Sequence, residues 1–65
     1  MITNNQRITI VKKINPFRED TKQHKRAAAV LGSNGKTVEF AKKKGADQWT
    51  VREMVKRKLV RVAAT

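Results

Sequence analysis

With no cysteine and a single histidine, this 65-residue chain has neither disulfides nor the usual zinc sites to hold it together. A domain this short hides only about 60% of the surface that its unfolded chain exposes. It must therefore fold around one small apolar core. The candidates are Ile8, Ile10, Ile14, Phe17, Leu31, Val38, Phe40, Val51, Met54, Val55, Leu59, Val60 and Val62. They suffice for a single domain over residues 1–65, with 1–6 and 63–65 expected to fray, and they leave no room for a substrate cleft.

Punctuation divides the chain into five segments. Residues 7–15 (RITIVKKIN) are rich in β-branched side chains, and Ile8 and Ile10 alternate with Arg7, Thr9 and Val11 as in a half-buried strand. Asn15-Pro16 ends that strand, because proline supplies no ladder donor. Asp20 is expected to cap a first helix, with Gln23 completing a capping box. His24, Ala27, Ala28 and Leu31 form its stripe, Lys22, Lys25, Arg26 and Ala29 its other faces, and Gly32 its left-handed stop. Ser33-Asn34-Gly35 reads as a tight turn.

Thr37 caps a second helix through about residue 44, which Gly45 ends, and Asp47 caps a third from 48 to about 58. Val51, Met54 and Val55 share one face of that helix. Trp49, Arg52 and Lys56 share the opposite side, with Glu53 and Arg57 at its edge. Leu59 to Val62 is β-prone and can pair with the first strand, although such a pair is stable only when packed on helices. The expected fold class is α+β, a three-helix domain whose N- and C-terminal strands form a two-stranded sheet.

Sixteen Lys and Arg stand against five Asp and Glu, a net charge of +11. Such a surface repels itself unless a polyanion neutralises it, and nucleic acid is the commonest intracellular polyanion. An acidic protein or an anionic membrane surface would also serve. The longest apolar run, 27–31, is far too short to span a membrane, and MITNNQR lacks the basic-then-apolar pattern of a leader. A cytoplasmic location is expected, at the nucleoid if DNA is the partner.

Within 37–62, TVEFAKKKGADQWTVREMVKRKLVRV, a helix of about two turns, a bend containing Gly45 and a longer basic helix have the spacing of a helix-turn-helix. A helix fits the major groove, where exposed side chains reach base edges. Gln48, Trp49, Arg52 and Lys56 are expected to point outward, with Arg57 beside them. Arg pairs with guanine through two hydrogen bonds and Gln with adenine, while Lys mostly neutralises phosphate. Lys36, Thr37, Lys42, Lys43 and Lys44 complete the candidate DNA-binding set, with 35–37 placed to hold one phosphate at a helix N-terminus. Trp49 has two open readings, a cap on a small core or a stacking contact to the partner.

The junction VKRKLVRV (55–62) resembles the winged-helix class, in which the recognition helix runs straight into a strand. Only Ala63, Ala64 and Thr65 follow Val62, so no third strand or wing is expected and minor-groove wing contacts are not carried over. A longer arrangement, NPFR, a short helix, GKTVEF, a glycine and VREMVKRKLVRV, is similar to small proteins of phages and prophages with a helix-turn-helix segment. That resemblance implies a mobile-element origin. Lys58 stands where such sequences often carry glycine.

Other signals reduce to structure. GSNGKT (32–37) ends like a phosphate-binding loop, but the pattern requires glycine five positions before Gly35, where Val30 stands. His24 has no catalytic partner, since cysteine is absent and Ser33 is the only serine. Glu39 and Glu53 fall on different helices among basic neighbours, which favours ion pairs over acid–base work. No enzyme activity, cofactor, metal or small-molecule substrate is expected. The reading is a non-enzymatic, phage-type accessory protein or transcriptional regulator that binds duplex DNA through its third helix. The alternative is a basic inhibitor or adaptor docking on an acidic host or phage protein. Single-stranded DNA or RNA is less favoured, because single-strand binders stack bases on several aromatics and this chain has only Phe17, Phe40 and Trp49.

Overall fold

The computed structural model describes residues 2–63. The chain runs through β1 (Arg7–Ile10), α1 (Lys22–Leu31), α2 (Val38–Lys43), α3 (Gln48–Lys56) and β2 (Val60–Ala63). The fold is α+β: three helices and an antiparallel sheet of two strands, one near each end of the chain. α1 packs across both α2 and α3, and the end of α3 leads straight into β2. Of the ends expected to fray, Met1, Ala64 and Thr65 lie outside the described residues, while residues 2–6 run along the start of α2.

The strands pair Arg7 with Ala63, Ile8 with Val62, Thr9 with Arg61 and Ile10 with Val60. Alternation turns Ile8, Ile10, Val60 and Val62 toward the helices and leaves Arg7, Thr9, Arg61 and Ala63 in solvent. β1 is shorter than the expected 7–15. The amides of Val11 and Lys12 both converge on the Leu59 carbonyl, at 2.9 and 3.0 Å, which breaks the ladder. The Ile14 amide then donates back to Lys12 O at 2.9 Å in a three-residue turn. Ile14, expected in the core, is consequently 57% exposed.

Each helix is capped by a short polar side chain, but the first cap is Thr21 rather than Asp20. Thr21 Oγ1 accepts from the His24 amide at 3.2 Å, and Asp20 instead lies in an exposed ion pair with Arg18. α1 buries Ala27 and Val30, with His24 and Leu31 at the flanks; Ala28 is exposed, because the larger apolar side chain of Val30 takes the inward position. Gly32 ends α1 without a left-handed turn, at φ −82°. Its amide donates to Ala28 O at 2.9 Å, and Ser33 Oγ, fully buried, donates to Ala29 O at 2.7 Å.

The core is richer in small side chains than expected. Ala27, Ala41 and Ala46 join Ile8, Val30, Val38, Val51, Met54, Leu59 and Val60 in it, whereas Ile10, Phe17, Leu31, Val55 and Val62 pack only against its margin. Phe40 is half-buried, with the Lys36 and Lys44 ammonium groups 5.8 and 5.4 Å from its ring centre. Alanine at the centre lets the helices approach closely, which dense packing requires in so small a domain.

α2 and α3 end in the same way. After α2, the Gly45 amide donates to Lys42 O and the Ala46 amide to Ala41 O, at 3.1 and 3.0 Å. After α3, the Lys58 amide donates to Val55 O and the Leu59 amide to Met54 O, both at 3.0 Å. Both are Schellman closures, which need one residue in the left-handed region and bury the residue after it. Gly45 (φ 120°) and Lys58 (φ 61°) supply the left-handed residue, and Ala46 and Leu59 are buried. α3 therefore stops at Lys56, two residues before Lys58.

The two closures predict opposite responses to substitution. A left-handed residue with a Cβ costs about 1–2 kcal/mol, so Lys58→Gly is expected to stabilise the fold by up to ~1 kcal/mol after glycine's greater unfolded-state entropy is subtracted. A Cβ at Gly45 would touch nothing within 4 Å, so Gly45→Ala is expected to destabilise through backbone strain alone. Urea unfolding of both variants measures the pair. Met54 is fully buried, and Met54→Ala is expected to cost about 2–5 kcal/mol. A parental melting curve for that variant would mean α3 is rotated from the orientation described.

Candidate nucleic-acid interface

α3 is held from three sides. Asp47 Oδ1 accepts from the Thr50 amide at 2.8 Å at its start, and Val51 and Met54 are buried along its length. Leu59 closes its end. Residues 49, 52 and 56 are spaced i, i+3 and i+7, so they share one stripe away from the core. Arg52 and Lys56 are exposed and make no ion pair or side-chain hydrogen bond among the described residues.

Trp49 rests against Phe17 and keeps part of its ring in solvent. It is 47% exposed, and its ring is tilted 44° to Phe17 with centroids 6.0 Å apart. Phe17 is not among the site residues expected from the sequence. Its backbone is held by Asn15, whose Oδ1 accepts from the Phe17 amide at 3.1 Å and whose Nδ2 donates to His24 O at 2.9 Å. Arg57 lies on the other partner of this stack, its guanidinium 5.5 Å from the Phe17 ring centre and 3.1 Å from Glu53 Oε1.

The remaining candidates are engaged inside the protein. Gln48 Nε2 donates to Ile2 O at 2.9 Å, and Lys42 Nζ to Asn4 Oδ1 at 2.6 Å. Lys43 pairs with Glu39 at 3.5 Å, and Lys36 and Lys44 flank Phe40. The Glu39 and Glu53 ion pairs are those expected from the sequence. The phosphate site at 35–37 is not available. Thr37 Oγ1 accepts from the Phe40 amide at 3.1 Å, and the Val38 and Glu39 amides donate to Gln6 O and Asn4 O at 2.8 and 3.0 Å. These are the donors that a phosphate would use.

Four of the five carboxylates pair with Arg18, Arg26, Lys43 and Arg57, and none of the five lies within ion-pair distance of Arg52 or Lys56 among the described residues. What the stripe offers is an indole, a guanidinium and an ammonium in line along one capped helix. Among the described residues no group of His, Asp or Glu could hold a metal ion, and no helix is long and apolar enough to cross a membrane. Comparison with known protein families, characterised proteins and solved structures finds no match to this chain.

Asp47 ties the N-terminal cap of α3, and with it part of the fold's stability, to pH. Hydrogen bonding from Thr50 holds its carboxyl below the usual value of 3.8; partial burial opposes this and the Arg26 guanidinium, 3.4 Å away, adds to it. A depressed folded-state value means the stabilisation is complete above the unfolded value and is lost as pH falls through the folded one. Thermal stability is expected to decline in acid below about pH 4. Asp47→Asn keeps a capping oxygen and should flatten that decline, while Asp47→Ala should cost about 1 kcal/mol at neutral pH. Melting curves from pH 2 to 7 for the three proteins check this; an unchanged acid limb in Asp47→Asn would remove Asp47 as its source.

Proposed function

We propose that this protein binds duplex DNA through the Trp49, Arg52 and Lys56 stripe of α3, as a non-enzymatic accessory or regulatory protein. The observation that carries the reading is that Arg52 and Lys56 are exposed and unpaired on a helix fixed at both ends, in a chain of net charge +11. Arg52 suits a guanine edge, and Lys56 suits phosphate. Trp49, steadied by Phe17, can pack on the sugar-phosphate backbone. Lys43 and Lys44, exposed although they meet Glu39 and the Phe40 ring, can exchange those surface contacts for phosphate from the neighbouring helix and turn. A helix followed by a short turn and a basic helix supports use in the major groove. The likeness of NPFR and GKTVEF to phage and prophage proteins supports a mobile-element role, exercised in a host cytoplasm.

The reading makes two separable demands. With roughly six phosphate contacts, log affinity should fall against log salt with a slope near −5. Arg52→Ala should weaken a cognate duplex by about 1–3 kcal/mol and relax sequence preference there. Lys56→Ala should weaken all duplexes alike and make the salt slope shallower by about one unit. Both variants should melt like the parent, since neither side chain is buried. Fluorescence anisotropy on two unrelated duplexes at several salt concentrations measures all of this. Unchanged affinity in both variants would remove α3 as the reading head.

A further inference from the structure

A groove of about 630 Å³ lies where the end of α3 meets the sheet. Val55 of α3, Val60 and Val62 of β2, and Val11 just past β1 form its apolar lining. Lys12, Lys58 and Arg61 form a charged rim, and no carboxylate lines it. These cations come from three separate segments, and each is exposed without an ion pair among the described residues.

The fold holds this arrangement in place. Leu59 O accepts from the Val11 and Lys12 amides, which keeps both residues beside the end of α3. Val11 is 47% exposed although it is apolar. Lys58 stands at φ 61°, which glycine adopts at less cost, so a strained backbone puts a cation on the groove. Val60 is 1% exposed, backbone included, and closes the floor. The groove therefore receives side chains and offers no strand edge.

We propose that this groove docks an amphipathic helix of an acidic protein partner. Apolar side chains at i, i+3 or i+4, and i+7 of that helix would seat on Val11, Val55 and Val62. Carboxylates flanking them would meet Lys12, Lys58 and Arg61. A helix satisfies its own backbone groups, as a segment lying on valines must where no sheet edge is open to it. A phosphate backbone would meet the rim but leave the valines in water. A single-chain anionic amphiphile brings one head group to three cations drawn from separate segments. A membrane surface takes apolar side chains that project, whereas Val55, Val60 and Val62 are recessed. A second copy would bring the same net charge of +11, with four of its five carboxylates already paired. Trp49, Arg52 and Lys56 do not line the groove, so the proposal does not depend on DNA binding.

The test selects a display library of helical-scaffold peptides, one face randomised, on the full chain at physiological salt. A synthetic copy of an enriched helix is then titrated into the protein and followed by valine-methyl NMR. Enrichment of an apolar stripe flanked by Asp and Glu is expected, with the methyls of Val11, Val55 and Val62 shifted. Val11→Asp puts a carboxylate into the lining and Arg61→Glu reverses a rim charge. Each should weaken the helix by about tenfold, and Arg52→Ala should leave it unchanged. Val11 and Arg61 are both exposed, so these variants should melt like the parent, and weakened binding is then not unfolding. The proposal falls if no acidic, apolar-striped helix is enriched, if other methyls respond instead, or if either groove variant binds normally. It falls equally if phosphatidylglycerol vesicles or duplex DNA shift the groove methyls and no enriched helix does. A shift of those methyls with protein concentration alone would assign the groove to a second copy and overturn it too.

Discussion

Burial of Val51 and Met54 decides what α3 can show to solvent. Both are fully buried in the core that contains Ile8, Ala27 and Val30. A helix turns about 100° per residue, so fixing these two inward leaves Trp49, Arg52 and Lys56 outward. The ends remove the remaining freedom. Asp47 fixes where the helix starts, and the Leu59 amide on Met54 O fixes where it stops. A mobile cationic side chain on a frayed helix would lose entropy on meeting a partner; on this helix the backbone part of that cost is already met by folding.

The same closure links α3 to the sheet. Leu59 is buried as the residue after the left-handed Lys58, and its carbonyl receives the amides of Val11 and Lys12. That double acceptance ends β1, turns the chain away and leaves Val11 and Lys12 beside the groove along β2. One helix end therefore sets the length of the first strand, the position of the second and the shape of the apolar groove.

The charge is not spread evenly in its effect. The ion pairs join mostly exposed groups and contribute little to stability, so folding rests on the apolar core. They leave Arg52 and Lys56 on α3, and Lys12, Lys58 and Arg61 along β2, without an ion-pair partner among the described residues. The two places differ in chemistry: an indole beside Arg52 and Lys56 on one, a valine-lined groove on the other. They have no residue in common.

Local chemistry was legible in the sequence itself. Thr37 and Asp47 as caps, Gly45 as a stop, the inward and outward faces of α3 and the pairing of the end strands all follow from spacing and from the conformational preferences of single residues. The ion pairs of Glu39 and Glu53 follow too, because each partner lies four residues on along the same helix or just past its end. What tertiary structure alone decided involves residues far apart in the chain. Asn4 and Gln6 occupy the α2 amides, Ile2 takes Gln48, Phe17 supports Trp49, and Leu59 cuts β1 short. Ala41 and Ala46 at the core were equally hidden, since a methyl group carries almost no periodic signal but permits helices to meet. Periodicity reports which way a side chain points; which distant group reaches it depends on how the helices and strands are brought together.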